Sequence, residues 1–256
     1  MNFSIGFIDS GVGGASILKA VKKLLPCEDY VFFADTLHAP YGNKNKRTLV
    51  KIILNNVKYL VEKRNIKLLV VACNTATAVA KEELLKSFPF LPCVFVEPPL
   101  KPAVEDGSKR ILVLATKRTI ENNKIIKHYK SFSKAGDCAI KTLFISNLAT
   151  LIDNQDNFEI NRVLKENIKD DFDAIVLGCT HYNFIKENLK KLFLNAKIYS
   201  CENAVAKRVV HLLTENKLIS NSKNGEIEII TNSQNVAVAR RMRTMFPKHI
   251  SSNKEC

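Results

Sequence analysis

The sequence has no long apolar run, no C-x-x-C pair and no basic leader, and each absence excludes a class of protein. No apolar run approaches the ~18 residues that a membrane-spanning helix needs, so we expect no membrane partner. Its seven cysteines are odd in number and scattered, which argues against a disulfide framework and suits a reducing compartment. The chain starts directly in a predicted strand, without the basic region and cleavage site of a signal peptide. We therefore expect a cytoplasmic protein.

Acidic residues are scarce beside basic ones. The chain has 39 Lys and Arg against 25 Asp and Glu, a formal net charge of +14. Basic charge alone is a weak marker of nucleic-acid binding, no nucleic-acid motif accompanies it, and the aromatic residues are not interleaved with the basic ones. We expect no nucleic-acid partner and a field that attracts a small anion. A chain of 256 residues buries roughly 70–75% of its unfolded surface and needs no metal or disulfide to fold.

Two similar stretches, residues 70–77 and 176–181, organise the chain. In each, a β-branched apolar run ends in a small residue and a cysteine, and polar residues then open an amphipathic pattern. A short apolar run is typical of a buried strand and the wider spacing of a helix. Cys73 and Cys179 are therefore predicted where a strand meets a helix, at the edge where open α/β sheets bind ligands.

The similarity extends to a second pair of positions. The two cysteines are 106 residues apart, and the same offset carries Ser10, after one apolar run, onto Thr116, after another. Each half of the chain then has one strand that ends in a hydroxyl and one that ends in a thiol. We predict two α/β halves related by a pseudo-twofold axis, with both thiols aimed at one cleft.

Strands and helices alternate along the whole sequence, which predicts parallel sheets. Three prolines within 97–102 mark a crossing between domains. The predicted fold is two similar Rossmann-like three-layer α/β/α domains with mainly parallel sheets, and the active site lies in the cleft between them. Residues 1–97 with 206–256 form the first domain and 98–205 the second. We expect one helix over about 118–130, a helix directly after Cys179, a less regular stretch at 146–158 and a frayed tail at 247–256.

The glycine loop at 11–14 follows the first predicted strand. A dinucleotide fingerprint would need a further glycine where the chain has Ser16, so we exclude a nicotinamide cofactor. A helix N-terminus that holds a carboxylate remains open. Asp9, at the end of the strand, is either a helix cap or a functional acid.

Two thiols in matched contexts suggest acid–base chemistry. Thiols at helix N-termini form thiolate readily, and inversion at a carbon acid needs one group on each face, with the roles exchanged in the reverse direction. A structural zinc site at Cys73, Cys179 and His181 lacks the clustered four-ligand spacing. Nucleophilic catalysis by Cys179 and His181 is a more serious alternative, but it leaves Cys73 unexplained. The other five cysteines are read as small core residues.

These residues resemble the glutamate racemase family, within the aspartate/glutamate racemase superfamily. The matching motifs, in family order, are Asp-Ser-Gly-Val-Gly-Gly at 9–14, Ala-Pro-Tyr-Gly at 39–42, Ala-Cys-Asn-Thr-Ala at 72–76, Val-Glu-Pro at 96–98, Ala-Thr-Lys at 115–117 and Gly-Cys-Thr-His at 178–181.

The resemblance implies a cofactor-independent interconversion of L- and D-glutamate that supplies D-glutamate for peptidoglycan, with no metal, and often a homodimer. It implies that Cys73 and Cys179 are the acid–base thiols, assisted by Asp9 and His181 respectively. The positions that match substrate-binding residues of the family are Asp9, Ser10, Tyr41, Gly42, Asn74, Thr75, Thr116, Thr180 and His181.

The chain departs from the family pattern at three places. The family's Phe-Val-Pro-Leu-Val-Glu reads Phe-Ile-Ser-Asn-Leu-Ala at 144–149, so its acidic helper is replaced by Ala149, and Asp153 is nearby but out of register. Asn183 replaces a proline, and Thr-Gly-Asp reads Thr-Asn-Ser at 231–233. Two alternatives therefore stay open: a racemase of the same superfamily that acts on aspartate or a hydantoin, and a paralogue that binds an amino acid without turnover.

Overall fold

The computed structural model describes residues 3–133, 138–220, 225–233, 236–247 and 250–255. Strands and helices alternate along these ranges. The strands are β1 (Ser4–Asp9), β2 (Tyr30–Ala34), β3 (Ile66–Val71), β4 (Cys93–Phe95), β5 (Arg110–Ala115), β6 (Ala139–Leu143), β7 (Ala174–Gly178), β8 (Lys197–Tyr199), β9 (Ile227–Thr231) and β10 (Ile250–Glu255). The helices are α1 (Ala15–Leu24), α2 (Lys46–Arg64), α3 (Asn74–Ser87), α4 (Leu100–Glu105), α5 (Lys117–Asn122), α6 (Lys124–Ser133), α7 (Leu148–Asp153), α8 (Asn157–Asn167), α9 (Lys186–Leu192), α10 (Glu202–Glu215) and α11 (Val236–Met245). Short 3₁₀ helices cover Tyr41–Asn43 and Thr180–Ile185.

The chain divides into two compact units, each with its own sheet. Unit 1 is Met1–Val96 with Glu202–Cys256, and unit 2 is Glu97–Cys201. The described strands of unit 1 run in the order β10-β9-β2-β1-β3-β4, and those of unit 2 in the order β6-β5-β7-β8. Every described strand pair is parallel. The order β2-β1-β3-β4 in unit 1 has the same pattern as β6-β5-β7-β8 in unit 2, as a duplicated sequence would give.

Helices cover both faces of each sheet because the strands are apolar on both sides. In unit 1, α2 and α3 pack over one face through buried residues such as Leu49, Ile53 and Val79, while α1 packs against α10. In unit 2, one core cluster contains α7, α8 and α9, and a second contains residues of α4 and α6. The predicted fold class, two similar α/β sets with parallel sheets and helices around them, is confirmed.

The C-terminal segment completes the sheet of unit 1. Strand β9 pairs with β2 along its whole length, from Ile227 beside Tyr30 to Thr231 beside Ala34. Two lysines hold the neighbouring turns in place: the buried Lys22 donates from Nζ to the Gly225 carbonyl at 2.9 Å, and the half-buried Lys67 donates from Nζ to the Leu218 carbonyl at 2.7 Å. The return of the chain to unit 1 places the end of β9 beside the end of β2.

Three local predictions were wrong. The helix expected over 118–130 is broken at Asn123, whose side-chain Oδ1 accepts the Ile126 N–H and whose Nδ2 donates to Glu97. The segment directly after Cys179 is a 3₁₀ helix, closed by the Tyr182 N–H donating to the Cys179 carbonyl three residues earlier. The tail contains β10, which pairs with β9. The predicted helix over 235–246 begins at a residue outside the described ranges.

The stretch expected to be less regular contains α7 and the start of α8. Asn147, immediately before α7, has a φ of 60°, a left-handed conformation that asparagine tolerates better than most residues. Among the described residues, no helix combines the length and apolar character needed to cross a bilayer.

Candidate active site

In unit 1, the thiol of Cys73 lies next to the hydroxyl of Ser10. Strands β1 and β3 are neighbours with Ile8 beside Val71, so the residues that follow them emerge side by side at the carboxyl edge of the sheet. Ser10 Oγ and Cys73 Sγ are 3.8 Å apart. Cys73 is buried and is the N-cap residue of α3. The positive end of the helix dipole therefore faces the sulfur.

Asp9, the residue before Ser10, is fully buried. Its Oδ1 accepts the Gly11 N–H at 2.8 Å and faces Ser10 Oγ at 3.5 Å. A Cβ on Gly14 would lie 2.9 Å from Asp9 Oδ2 and 2.7 Å from the Ala72 Cβ. The glycine loop thus lets the start of α1 approach the carboxylate closely. Asp9 holds the loop in place as well as neighbouring the serine that contacts the thiol.

The first turn of α3 presents polar groups to the same edge. Asn74 is 2% exposed, and among the described residues neither its Nδ2 nor its Oδ1 has a hydrogen-bond partner. Thr75, the next residue, is also buried. A buried amide with neither atom satisfied is unusual, because each unpaired group costs about 1–3 kcal/mol. Among the described residues, the buried amide of Asn74 therefore has both its donor and its acceptor available to a ligand.

Tyr41 lies in the turn after β2, close to both Cys73 and Asp9. It is buried, and its hydroxyl donates to Asp35 Oδ2 at 2.5 Å. Burial raises the pKa of Tyr41 well above its usual value, and the charges of Asp35, Cys73 and Asp9 raise it further. The phenol therefore stays protonated and donates to Asp35. Gly42, the next residue, is half-buried in the same short 3₁₀ helix.

Asp35, in the turn that follows β2, accepts several hydrogen bonds, and the sequence analysis did not identify it as a site residue. It is fully buried and, besides Tyr41, accepts from Asn56 Nδ2 at 2.8 Å and Asn232 Nδ2 at 2.7 Å, while His38 Nδ1 lies at 2.7 Å. An aspartate directly after a strand of a parallel sheet could have been flagged from its position alone.

The loop after β9 is fastened to the turn that follows β2. Asn232 Oδ1 accepts the Leu37 N–H at 3.1 Å, and Thr36 Oγ1 lies 2.6 Å from Ser233 Oγ. Asn232 and Ser233 belong to the segment that departs from the family's Thr-Gly-Asp. The C-terminal segment thus helps to fix the turn that holds Tyr41.

Unit 2 places a hydroxyl and a thiol in the equivalent positions. Strands β5 and β7 are neighbours, with Ala115 beside Gly178, so Thr116 and Cys179 follow at the same edge. A Cβ on Gly178 would lie 2.7 Å from the Ala115 Cβ, which shows how closely the strands approach there. Thr116 Oγ1 caps α5 by accepting the Thr119 N–H at 3.3 Å.

Cys179, His181 and Asp153 form a line of three side chains. His181 Nδ1 is 4.0 Å from Cys179 Sγ, and His181 Nε2 is 3.5 Å from Asp153 Oδ2. Burial lowers the pKa of His181, but the hydrogen bonds and charges of Asp153 and Cys179 outweigh burial and raise it well above the usual value. Thr180, between the cysteine and the histidine, is buried. The sequence placed Asp153 out of register, but the structure brings its carboxylate to the histidine.

The predicted site residues thus fall into two clusters, one in each unit. The cluster of unit 1 contains Asp9, Ser10, Tyr41, Gly42, Cys73, Asn74 and Thr75, and the cluster of unit 2 contains Thr116, Cys179, Thr180 and His181. Within the described ranges, no group of three or more His, Cys, Asp or Glu residues has the arrangement of a metal site.

Comparison with known proteins identifies the family. No protein-family model matches the chain. The chain is 40% identical over 242 residues to a glutamate racemase of Clostridium kluyveri, covering 90% of this chain and 92% of that one. It is 38% identical over 224 residues to glutamate racemase 2 of Bacillus subtilis, covering 82% of each.

Solved structures of glutamate racemases have the same fold as this chain. The crystal structure of glutamate racemase from Francisella tularensis in complex with D-glutamate superposes with a TM-score of 0.85 at 26% identity, covering 100% of this chain and 97% of that one. Identity above 30% over most of both chains, together with the shared fold, leads to one conclusion. The chain belongs to the glutamate racemase family.

Proposed function

We propose that the protein interconverts L- and D-glutamate without a cofactor, by proton transfer at Cα between the thiols of Cys73 and Cys179. Its product, D-glutamate, would supply peptidoglycan synthesis. The observation that carries the proposal is the repeated pair at the carboxyl edge of each sheet. A hydroxyl follows one strand and a thiol follows its neighbour, Ser10 with Cys73 in unit 1 and Thr116 with Cys179 in unit 2.

A duplicated site suits this reaction because inversion exchanges the roles of the two groups. In one direction the Cys73 thiolate removes the α-proton, so the C–H bond breaks, an S–H bond forms and the electron pair stays on the substrate as a carbanion. The Cys179 thiol then gives its proton to the opposite face of Cα. In the other direction the same steps run in reverse. This mechanism requires one sulfur on each side of Cα.

The neighbours of each thiol fit this assignment. Asp9 assists Cys73 through the Ser10 hydroxyl, and His181 assists Cys179. The remaining predicted substrate contacts are Ser10, Tyr41, Gly42, Asn74, Thr75, Thr116 and Thr180. Helix N-termini and backbone N–H groups are suitable partners for the carboxylates of glutamate. The amide of Asn74, which has no hydrogen-bond partner within the described ranges, supports a polar ligand at this edge.

Two alternatives follow from the departures from the family pattern. Residues 144–149 lack the proline and the glutamate of the family, so aspartate or a hydantoin is the alternative substrate, and binding without turnover is the alternative activity. The relatives from Clostridium kluyveri and Bacillus subtilis, which match most of the chain, bear the name glutamate racemase, and this favours glutamate. A homodimer acting in the cytoplasm completes the proposal.

A substrate panel in D₂O tests the assignment. The purified protein is incubated separately with L-glutamate, D-glutamate, L-aspartate and a 5-substituted hydantoin, and both optical rotation and the α-proton resonance are followed. The proposal predicts loss of rotation and of the α-proton with both glutamate enantiomers, and much slower change with the others. Racemisation of aspartate or the hydantoin alone would assign the chain to a sibling enzyme. Binding of glutamate without exchange would identify a non-catalytic paralogue.

A further inference from the structure

We propose that Asp153 is a positioning residue for Cys179, acting through His181, so that the thiol of unit 2 works as part of a thiol–imidazole–carboxylate line. This inference rests on the proposed function, because it assigns a role within the same proton transfer. Asp153 is out of register with the glutamate that the family has where this chain has Ala149, so the sequence alone assigned it no role. The contact that carries it is the 3.5 Å distance between His181 Nε2 and Asp153 Oδ2.

The position of Asp153 is fixed by the packing of α7. Asp153 is the last residue of this helix, and α7 packs against the 3₁₀ helix that follows Cys179. Leu148 and Ile152 are buried in the same core cluster as Cys179 and Tyr182. The helix therefore docks firmly on the segment that carries the histidine, and its C-terminal residue reaches the imidazole.

The charges of the three groups are complementary. An imidazolium has an N–H at both ring nitrogens, and here each nitrogen faces an acceptor: Cys179 Sγ on the Nδ1 side and Asp153 on the Nε2 side. The raised pKa of His181 favours that doubly protonated form. A positive ring between a thiolate and a carboxylate offsets the charge that the sulfur carries once it has given up its proton. The carboxylate also fixes the orientation of the ring, since only one ring position satisfies both acceptors.

The contact differs from an ordinary surface ion pair. His181 is 7% exposed and the Asp153 side chain is 42% exposed, so water screens this pair from the carboxylate side only. By contrast, Lys141 and Asp170 in the same unit pair at 2.6 Å with side chains that are 60% and 58% exposed, and such exposed pairs contribute little. Asp170 therefore provides a matched control for loss of one carboxylate charge.

The step that Asp153 supports is the transfer at Cys179. When Cys179 acts as the base, its thiolate takes the α-proton and becomes a thiol, and His181 and Asp153 keep their own protons and charges. When Cys179 acts as the acid, its S–H bond breaks, the proton goes to Cα, and the remaining thiolate again faces the imidazolium. Asp153 never touches the substrate in this scheme.

A particular kinetic signature follows. L- and D-glutamate have equal free energies, so the equilibrium constant of the reaction is one. Because this constant equals the ratio of the forward and reverse kcat/KM values, any substitution changes kcat/KM by the same factor in both directions. The primary deuterium isotope effects need not stay equal. If only the transfer at Cys179 is slowed, the isotope effect grows for the enantiomer whose α-proton Cys179 removes. The isotope effect shrinks for the other enantiomer. Cys73 removes the α-proton of that enantiomer in a fast step, and the slow step that follows, protonation by Cys179, does not involve this proton.

The experiment compares Asp153→Asn, Asp153→Glu and the control Asp170→Asn with the unaltered protein, using α-deuterated L- and D-glutamate. We expect Asp153→Asn to lower kcat/KM about tenfold or more and to make the two isotope effects unequal. Asp153→Glu should restore much of the rate, and Asp170→Asn should match the unaltered protein.

Two results would overturn the inference: kcat/KM within about twofold for Asp153→Asn, or a fall in kcat/KM with both isotope effects unchanged, which marks a purely structural role. If the unaltered protein exchanges no α-proton of glutamate in D₂O, the proposed function fails first. That outcome is separate from a failure confined to Asp153.

Discussion

The Ser10 hydroxyl lies 3.8 Å from the Cys73 sulfur, although the two residues are 63 positions apart in the chain. The contact exists because β1 and β3 are adjacent parallel strands that end at the same level. It joins Cys73 to Asp9, whose Oδ1 faces the same hydroxyl. The serine therefore links the buried carboxylate of Asp9 to the thiol of Cys73, which loses and regains a proton in the proposed reaction.

Removing this hydroxyl should slow the reaction. We expect Ser10→Ala to lower kcat/KM about 10- to 100-fold, because a hydrogen bond to a charged group contributes about 1.5–3 kcal/mol. The measurement is steady-state racemisation in both directions. Ser131→Ala, which removes an exposed hydroxyl in unit 2, should leave the rate unchanged. A Ser10→Ala variant with unaltered kcat/KM would remove the serine from the site.

The amide of Asn74 should matter for the ligand more than for the fold. Asn74→Ala removes a buried amide that has no partner among the described residues, so its loss deprives the protein of no hydrogen bond there. We expect KM for glutamate to rise about tenfold or more, with little change in Tm. Asn188→Ala, which removes a half-buried amide that donates to Asn161 in unit 2, should leave KM unchanged. An unchanged KM together with a much lower Tm would show that the amide supports only the fold.

Asp35→Asn should damage both stability and binding. The carboxylate accepts from Tyr41, Asn56 and Asn232, and an amide would turn one of its acceptor oxygens into a donor that faces another donor. We expect the free energy of unfolding to fall by about 2–4 kcal/mol and KM to rise. Urea unfolding and steady-state kinetics measure the two effects. Asp171→Asn, at an exposed position, controls for the loss of one charge. Equal stability of the two variants would refute the structural role of Asp35.

The fold was largely readable from the sequence because its elements are locally encoded. The short apolar run before Cys73 is typical of a buried strand, and the positions of Ser10 and Thr116 followed from the same repeat. The break at Asn123 was missed although part of it is local, because Asn123 Oδ1 caps the next helix by accepting the Ile126 N–H. Only its second contact, from Nδ2 to Glu97, joins residues that are distant in the chain. The contact of Asp153 with His181 could not be predicted either. It forms only because α7 packs against the 3₁₀ helix, and the separation of the two residues along the chain does not reveal that packing. Asp35 was a different omission, since its position after β2 was visible.

The charge of His181 should make stability depend on pH. Its pKa is raised in the folded chain above the usual value of about 6.5. The imidazolium therefore stabilises the fold fully below about pH 6.5, and this contribution is lost as the pH rises through the raised pKa. We expect His181→Asn to lower the free energy of unfolding more at about pH 6 than at about pH 9.

Urea unfolding at the two pH values measures the difference. His211→Asn is the control, because this histidine is exposed and pairs with Glu215 on the surface. An equal loss at both pH values for His181→Asn would show that the ring is neutral in the folded protein.

The most direct test of the two-thiol mechanism is deuterium entry at Cα of glutamate in D₂O, measured for the unaltered protein, Cys73→Ala and Cys179→Ala. Cys201→Ala, which removes another buried thiol, serves as the control. The account predicts that the unaltered protein and the control racemise L-glutamate with deuterium entering Cα, and that loss of either Cys73 or Cys179 abolishes racemisation. Racemisation that persists without one of these two thiols would contradict it.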